Sequence, residues 1–229
     1  MVEIQKHVGV KEFQFAAPME EYARLQVTHA GAGGLARAYA DLCAREARAY
    51  WNHIEHKPRR VLDLGCGLGR AGVYFDWLFD IPAGHDAHYI FADSSVPRTR
   101  GKLRYGWNPD EWYNSLALTG EFAALNGVAS FETFDLRKQN LRSLKDIDVV
   151  LSFLAVGFHF PIESYMAALL DILSKDCVLV FGIRQHRQKY TAKTFDDFFE
   201  TCAIVELPPL AADSYRTKQD RLLILKGLK

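Results

Sequence analysis

Leu35, Tyr39, Cys43, Ala47 and Tyr50 recur at spacings of four and three, an apolar stripe with arginines spread between its members. That period predicts an amphipathic helix. The helical pattern starts at Pro18 and is expected to end near His56, because Lys57-Pro58 disfavours continuation. The first 16 residues carry no such period and read as an arm or lid. Past Pro58 the pattern changes to short apolar runs separated by helical stretches. RVLDLG (60–65) leads into GRAGVYFDWLF, HYIFAD (88–93) into a long mixed segment, and then comes VASFETFD (128–135). DVVLSF (148–153) precedes ESYMAALLDILSK, and VLVFGI (178–183) precedes TFDDFFET. Such alternation predicts a parallel sheet covered on both faces. The last two runs, CAIVEL (202–207) and RLLILKG (221–227), have no helix between them and predict an antiparallel hairpin with a long loop, 208–220. The expected fold is α/β, a three-layer αβα sandwich with an N-terminal helical extension. Residues 1–57 form that extension within the same domain; 58–229 form the main domain, with a helical insertion at about 94–129.

Chemistry enters at the end of the first apolar strand, with Asp63, Gly65, Cys66, Gly67 and Gly69 in a D-x-G-x-G-x-G run. Closely spaced glycines let the backbone turn tightly and let a ligand approach without a Cβ in the way. The helix that follows presents free N–H groups, and open α/β sheets bind ligands at the carboxyl ends of their strands. A nucleotide-type ligand is the expected occupant. Gly67-x-Gly69-x-x-Gly72 also fits the dinucleotide fingerprint, with Asp93 at about the 20-residue interval of a ribose-binding acid. Against that reading stands Asp63, a negative charge at the base of a loop that would hold pyrophosphate. A dehydrogenase would also need a catalytic domain, and the sheet pattern consumes the rest of the chain.

The D-x-G-x-G-x-G run, the acid closing YIFAD at Asp93 and the final CAIVEL/RLLILKG pair together resemble the class I S-adenosylmethionine-dependent methyltransferases, over roughly residues 58–229. The resemblance implies a seven-stranded, mostly parallel sheet with an antiparallel last strand, and S-adenosyl-L-methionine as cofactor. It implies that Gly65, Gly67 and Gly69, with Cys66 between them, line the methionine and ribose. Asp63 would face the amino group, and Asp93, with Ser94 beside it, the ribose hydroxyls. Asp135 and Leu136, closing the third strand, would border the adenine, and Ser152 closes the fourth strand at the same edge. Asp135 reads equally well as a turn-forming residue after a strand.

Methyl transfer to a hydroxyl requires removal of a proton, and the stretch after the fourth strand offers His159 among aromatics. The alternative for His159 is a helix cap or a backbone hydrogen bond. The stretch lacks the Asn/Asp-Pro-Pro-aromatic motif of methyltransferases acting on exocyclic amines of bases. It is similar instead to bacterial methyltransferases of sugar and polysaccharide modification, which implies sugar O-methylation with His159 as base. Another small natural product is the alternative acceptor. Asn108-Pro109 predicts a helix start in the insertion, carrying Trp107, Trp112, Tyr113 and Asn114 near its beginning. Tyr113 and Asn114 suit a sugar ring, and equally a helix packed on the sheet.

Composition narrows the partners. The 28 Lys+Arg balance 28 Asp+Glu, which argues against a surface built to coat nucleic acid or an anionic membrane. Two basic runs nevertheless leave the same sheet edge: Arg98, Arg100, Lys102 and Arg104 after the second strand, and Arg184, His186, Arg187 and Lys189 after the fifth. Each alone reads as a solvated face; together they suit an anionic acceptor. No window reaches the roughly 20 apolar residues of a membrane helix, and the first residues lack a secretory pattern. Four scattered cysteines suit reduced thiols and a cytoplasmic location. His53-x-x-His56 and His85-x-x-His88 lack a third ligand at a recognisable spacing, so no metal is expected. A silent partner subunit of the same fold is a further possibility, with no residue favouring it.

Overall fold

The computed structural model describes residues 11–27, 34–79, 87–95, 114–184, 190–208 and 219–229. Two helices, α1 (Ala17–Gln26) and α2 (Gly34–Tyr50), precede the sheet. The predicted stripe is buried throughout: Leu35, Tyr39, Cys43, Ala47 and Tyr50 all face the core. The helix turns into a short 3-10 segment at Trp51–His53, slightly earlier than expected. The sheet contains β1 (Arg60–Leu64), β2 (His88–Asp93), β3 (Phe131–Asp135), β4 (Ile147–Ser152), β5 (Leu173–Arg184), β6 (Phe199–Glu206) and β7 (Gln219–Leu228), in the order β3-β2-β1-β4-β5-β7-β6. β1 to β5 run parallel; β7 lies antiparallel between β5 and β6, as the closing pair of apolar runs predicts.

Side chains alternate between the two faces of the strands, and each face has its own core. One gathers Val61, Tyr89, Phe91, Val149, Leu151 and Val180 under α1, α2, α3 (Arg70–Phe79) and α4 (Leu116–Leu125). The other gathers Leu62, Leu64, Ile90, Val150, Leu179 and Phe181 under α5 (Glu163–Leu170) and the segment 190–199. Fully burying one such side chain contributes about 1.5–3 kcal/mol.

Two elements depart from expectation. TFDDFFET forms turns and the start of β6, not a helix. Phe195 and Phe199 have helical spacing, but both are buried under the sheet, and Phe199 pairs with Leu228 in the β6–β7 ladder. The helix expected over 163–175 stops at Leu170, since the Ile172 carbonyl accepts the Ile147 amide at 2.9 Å and draws the chain into β5. Phe13, in the segment 11–16, is buried in the core; residues 1–10 of the expected arm or lid lie outside the described residues. Phe13 is buried between Trp77, Tyr39 and Phe122 at ring distances of 4.5, 5.1 and 5.4 Å. Asn126 holds the neighbouring backbone on both sides, accepting from the Gln14 N–H at 2.8 Å and donating to the Gln14 carbonyl at 3.0 Å. The predicted helix start at Asn108-Pro109, with Trp107 and Trp112, lies outside the described residues. Among the described residues α4 begins after Ser115, whose hydroxyl caps it by accepting from the Leu118 amide. No described helix is long and apolar enough to cross a membrane.

Candidate active site

The loop from β1 to α3 turns on three glycines in the left-handed region: Gly65 (φ 69°), Gly67 (φ 56°) and Gly69 (φ 89°). A Cβ on Gly65 would lie 2.4 Å from the Ala155 Cβ, so the loop after β4 presses directly on this turn. Five amides of the loop and the helix start have partners. Gly65 and Cys66 donate to the Ala92 carbonyl, Gly69 to the Cys66 carbonyl, Gly67 to Asp93 Oδ2 at 2.8 Å and Gly72 to Asp63 Oδ2 at 3.0 Å.

Asp63 is buried beneath this loop, and the Gly72 amide is its one hydrogen-bond donor among the described residues. Burial pushes its carboxyl up to about 7, against the pull of the Gly72 amide and the Arg70 guanidinium. A buried carboxyl without a matching cation is a place where a ligand's ammonium is favoured. Asp93 accepts from Gly67 through one oxygen and from Ser94 N–H, at 2.7 Å, through the other. Enclosure raises it to about 6. Each oxygen keeps a lone pair, and the residue is partly exposed, so two hydroxyl donors fit there. The Cys66 thiol is buried and held well above the usual range, which makes it a packing group rather than a nucleophile.

At the end of β3, Asp135 makes the turn that the sequence allowed. Burial raises its carboxyl, but the Arg137 and Ser95 amides and Lys138 outweigh this and hold it below the usual range. The Leu136 amide donates to the Asp93 carbonyl at 2.9 Å, tying β3 to the second acid. Ser152 is fully buried, and its hydroxyl is committed: it donates to the Leu64 carbonyl at 2.6 Å and accepts from Val156 N–H at 3.1 Å. These bonds join the exits of β1 and β4, so Ser152 shapes the site's floor instead of meeting a ligand.

His159 sits in the tight segment after β4. Its amide donates to the Ala155 carbonyl at 2.7 Å, and its ring meets Phe158 edge-on at 4.9 Å. Leu154 and Gly157 both take positive φ to make this bend, and neighbouring Phe160 is exposed. Asn114 is buried, with Oδ1 accepting from the Ser115 amide and Nδ2 without a partner among the described residues. Arg184 ends β5; Tyr113 and Arg98 lie outside the described residues. Among the described residues no three His, Cys, Asp or Glu side chains gather as a metal site.

Sequence reading missed two features. Arg70, in the first turn of α3, is buried against Glu46 of α2, donates to Gln26 of α1 at 2.9 Å, and lies over the Phe153 ring. Thr119 of α4, fully buried, donates to the Gly67 carbonyl at 2.7 Å. Neither contact is local, and only folding reveals it.

The precorrin-6y C5,15-methyltransferase of Geobacter metallireducens matches this architecture with a TM-score of 0.51 over 85% of this chain and 89% of its own, at 12% identity. A Nostoc punctiforme protein described as a candidate O-methyltransferase matches with a TM-score of 0.51 over 84% of this chain and 58% of its own, at 17% identity. The chain has the class I methyltransferase fold. No family model matches it, and no curated protein does. In this fold the described glycine loop, Asp63 and Asp93 occupy the carboxyl edge of the sheet, where ligands of open α/β proteins bind.

Proposed function

We propose that the chain is an S-adenosylmethionine-dependent O-methyltransferase acting on a hydroxyl of a small acceptor, a sugar or a nucleotide-linked or phosphorylated sugar. One observation carries the cofactor reading: the glycine loop spends its Gly65, Cys66, Gly67, Gly69 and Gly72 amides on carbonyls and on two carboxylates. A pyrophosphate needs free amides and would meet two negative groups here, which disfavours a dinucleotide-dependent oxidoreductase using Gly67, Gly69 and Gly72. An ammonium and a ribose diol need carboxylates. Asp63 would hold the first and Asp93 the second, with Asp135 and Leu136 bordering the adenine. When bound, the cofactor supplies a methyl group activated on a sulfonium.

What remains for the chain is to align the acceptor and take its proton. His159, four residues before α5 at the same edge, is the proposed base, its neutral imidazole suited to a hydroxyl near pH 7. The sugar acceptor rests on the resemblance of its surrounding stretch and on Tyr113 and Asn114 as candidate contacts. Arg184 and Arg98 are candidate partners for an anionic group. The four cysteines are free thiols, which suits the cytoplasmic location that is part of this proposal.

Calorimetry with S-adenosylmethionine and S-adenosylhomocysteine is the first test: absence of binding at millimolar concentration overturns the cofactor reading. Mass spectrometry of hydroxylated acceptors, sugar phosphates and nucleotide sugars included, then seeks one added methyl. His159→Ala should abolish that product while the affinity for S-adenosylhomocysteine stays within about twofold; normal turnover would remove His159 as the base.

A further inference from the structure

We propose that Thr119 is a positioning residue of the cofactor loop, a role that rests on reading that loop as the S-adenosylmethionine site. Gly67 is held from both ends of its residue. Its N–H donates to Asp93 Oδ2 at 2.8 Å, and its carbonyl accepts from Thr119 Oγ1 at 2.7 Å. Glycine at φ 56° has no side chain to fix it, so these two bonds, with a longer 3.6 Å contact from the Cys66 thiol to the same carbonyl, define how the turn faces the site. The Thr119 hydroxyl has one proton. The Ser115 carbonyl, four residues earlier on its own helix, competes at 3.2 Å, the usual back-bond of a helical threonine, but Gly67 lies closer.

The threonine methyl adds a second constraint. A Cβ on Gly69 would come within 3.2 Å of Thr119 Cγ2 and within 3.0 Å of the Phe91 ring, so Thr119 and Phe91 together form the wall against which the third glycine packs. Thr119 thus holds the carbonyl of one cofactor glycine and bounds another. Gly67's other partner, Asp93, is one of the proposed ribose ligands, and the orientation of Gly67 decides which Asp93 lone pairs stay open. A loosened Gly67 would swing its N–H away from Asp93 or compete for the lone pair that a hydroxyl needs. Threonine meets these demands where valine, of the same shape, meets only the packing one.

Thr119→Val, Thr119→Ala and Thr119→Ser separate these contributions, read by amide hydrogen exchange at Gly67 in the ligand-free protein and by S-adenosylhomocysteine affinity. The valine variant should exchange about tenfold faster at Gly67 and bind about tenfold more weakly, an effect of the size expected for one lost buried hydrogen bond. The serine variant should stay within about threefold of wild type in both. Alanine, which also removes the hydroxyl, should loosen Gly67 at least as much as valine, and carries the test should valine not fold. Wild-type protection of Gly67 in both hydroxyl-free variants overturns the proposal, as does loosening in serine equal to that in valine. If wild type binds no S-adenosylhomocysteine, the cofactor reading falls, and with it the role assigned to Thr119, whereas the exchange measurement still decides whether the hydroxyl holds Gly67.

Discussion

Arg70 and Glu46 meet in a two-pronged ion pair with both side chains only 3% exposed, joining the first turn of α3 to α2. Gln26, the Cys43 sulfur and the Phe153 ring also contact the guanidinium, so α1, α2, α3 and the exit of β4 share one buried cation. Removing one partner of such a pair leaves an uncompensated buried charge. Glu46→Ala should cost about 3–5 kcal/mol, measured as a shift in urea denaturation. The surface pair Arg24–Glu20, 3.0 Å apart and solvated on both sides, sets the comparison: Glu20→Ala should cost less than about 1 kcal/mol. Equal costs would deny the buried pair its structural role.

The two raised carboxyls give stability a pH dependence opposite to that of ordinary acids. In the unfolded chain both Asp63 and Asp93 titrate near the usual value of about 3.9. Burial moves them to about 7 and about 6 in the folded protein. Between about pH 4 and 7 the folded state therefore keeps protons that the unfolded state has released, and stability falls as pH rises through this window. Asp135, held low, works the other way and favours folding above the ordinary carboxylate range. Asp63→Asn should flatten the fall between pH 5 and pH 7.5. A ligand ammonium beside Asp63 favours the carboxylate, so S-adenosylhomocysteine binding at pH 6 should release a proton. Calorimetry in two buffers of different ionisation enthalpy measures it, and Asp63→Asn should lose both that release and most of the affinity.

Gly65 and Gly127 share a positive φ, 69° and 88°, but not their surroundings. Around Gly127 a new Cβ meets nothing within 4 Å, so Gly127→Ala should cost only the left-handed strain of about 1–2 kcal/mol. At Gly65 the same methyl collides with Ala155 Cβ, displacing the segment that leads to His159. Gly65→Ala should therefore cost more than Gly127→Ala in thermal unfolding, and it alone should lower S-adenosylhomocysteine affinity. Equal affinities in the two variants would show that the contact with Ala155 does not shape the site.

Much of this molecule could be read from local pattern. β1, β2 and β4 are short apolar runs whose last residues, Asp63 with the glycines, Asp93 and Ser152, announce the ligand edge. Parallel strands bring those ends together whatever lies between them. Contacts set by tertiary packing were not legible. Thr119 is 52 positions from Gly67 in sequence, and Arg70 and Glu46 look like solvent-facing charges until α2 and α3 are packed. Phe13 stands in an irregular segment without a period, so nothing local marks it as core. Phe195 and Phe199 misled in the other direction: their spacing imitates a helix, and the β7 ladder decides against it.

Tyr190 links the two segments that leave β4 and β5. Its buried hydroxyl accepts from Ile162 N–H at 2.9 Å and donates to Glu163 Oε2 at 2.8 Å, pinning the start of α5 four residues after His159. Tyr190→Phe keeps the ring and its stack on Phe195, 6.0 Å between centroids, and deletes these bonds. The fully buried Ile162 amide then has no hydroxyl to meet, a loss of about 1–3 kcal/mol that denaturant unfolding will read. Hydrogen exchange at Ile162 should quicken while exchange at Gly67, on the far side of β1, stays unchanged. If His159 is the base, the same variant should lower turnover more than it lowers S-adenosylhomocysteine affinity, because the segment it loosens carries the base and not the cofactor loop. A fall in affinity with turnover preserved would mean that Tyr190 supports the cofactor side instead.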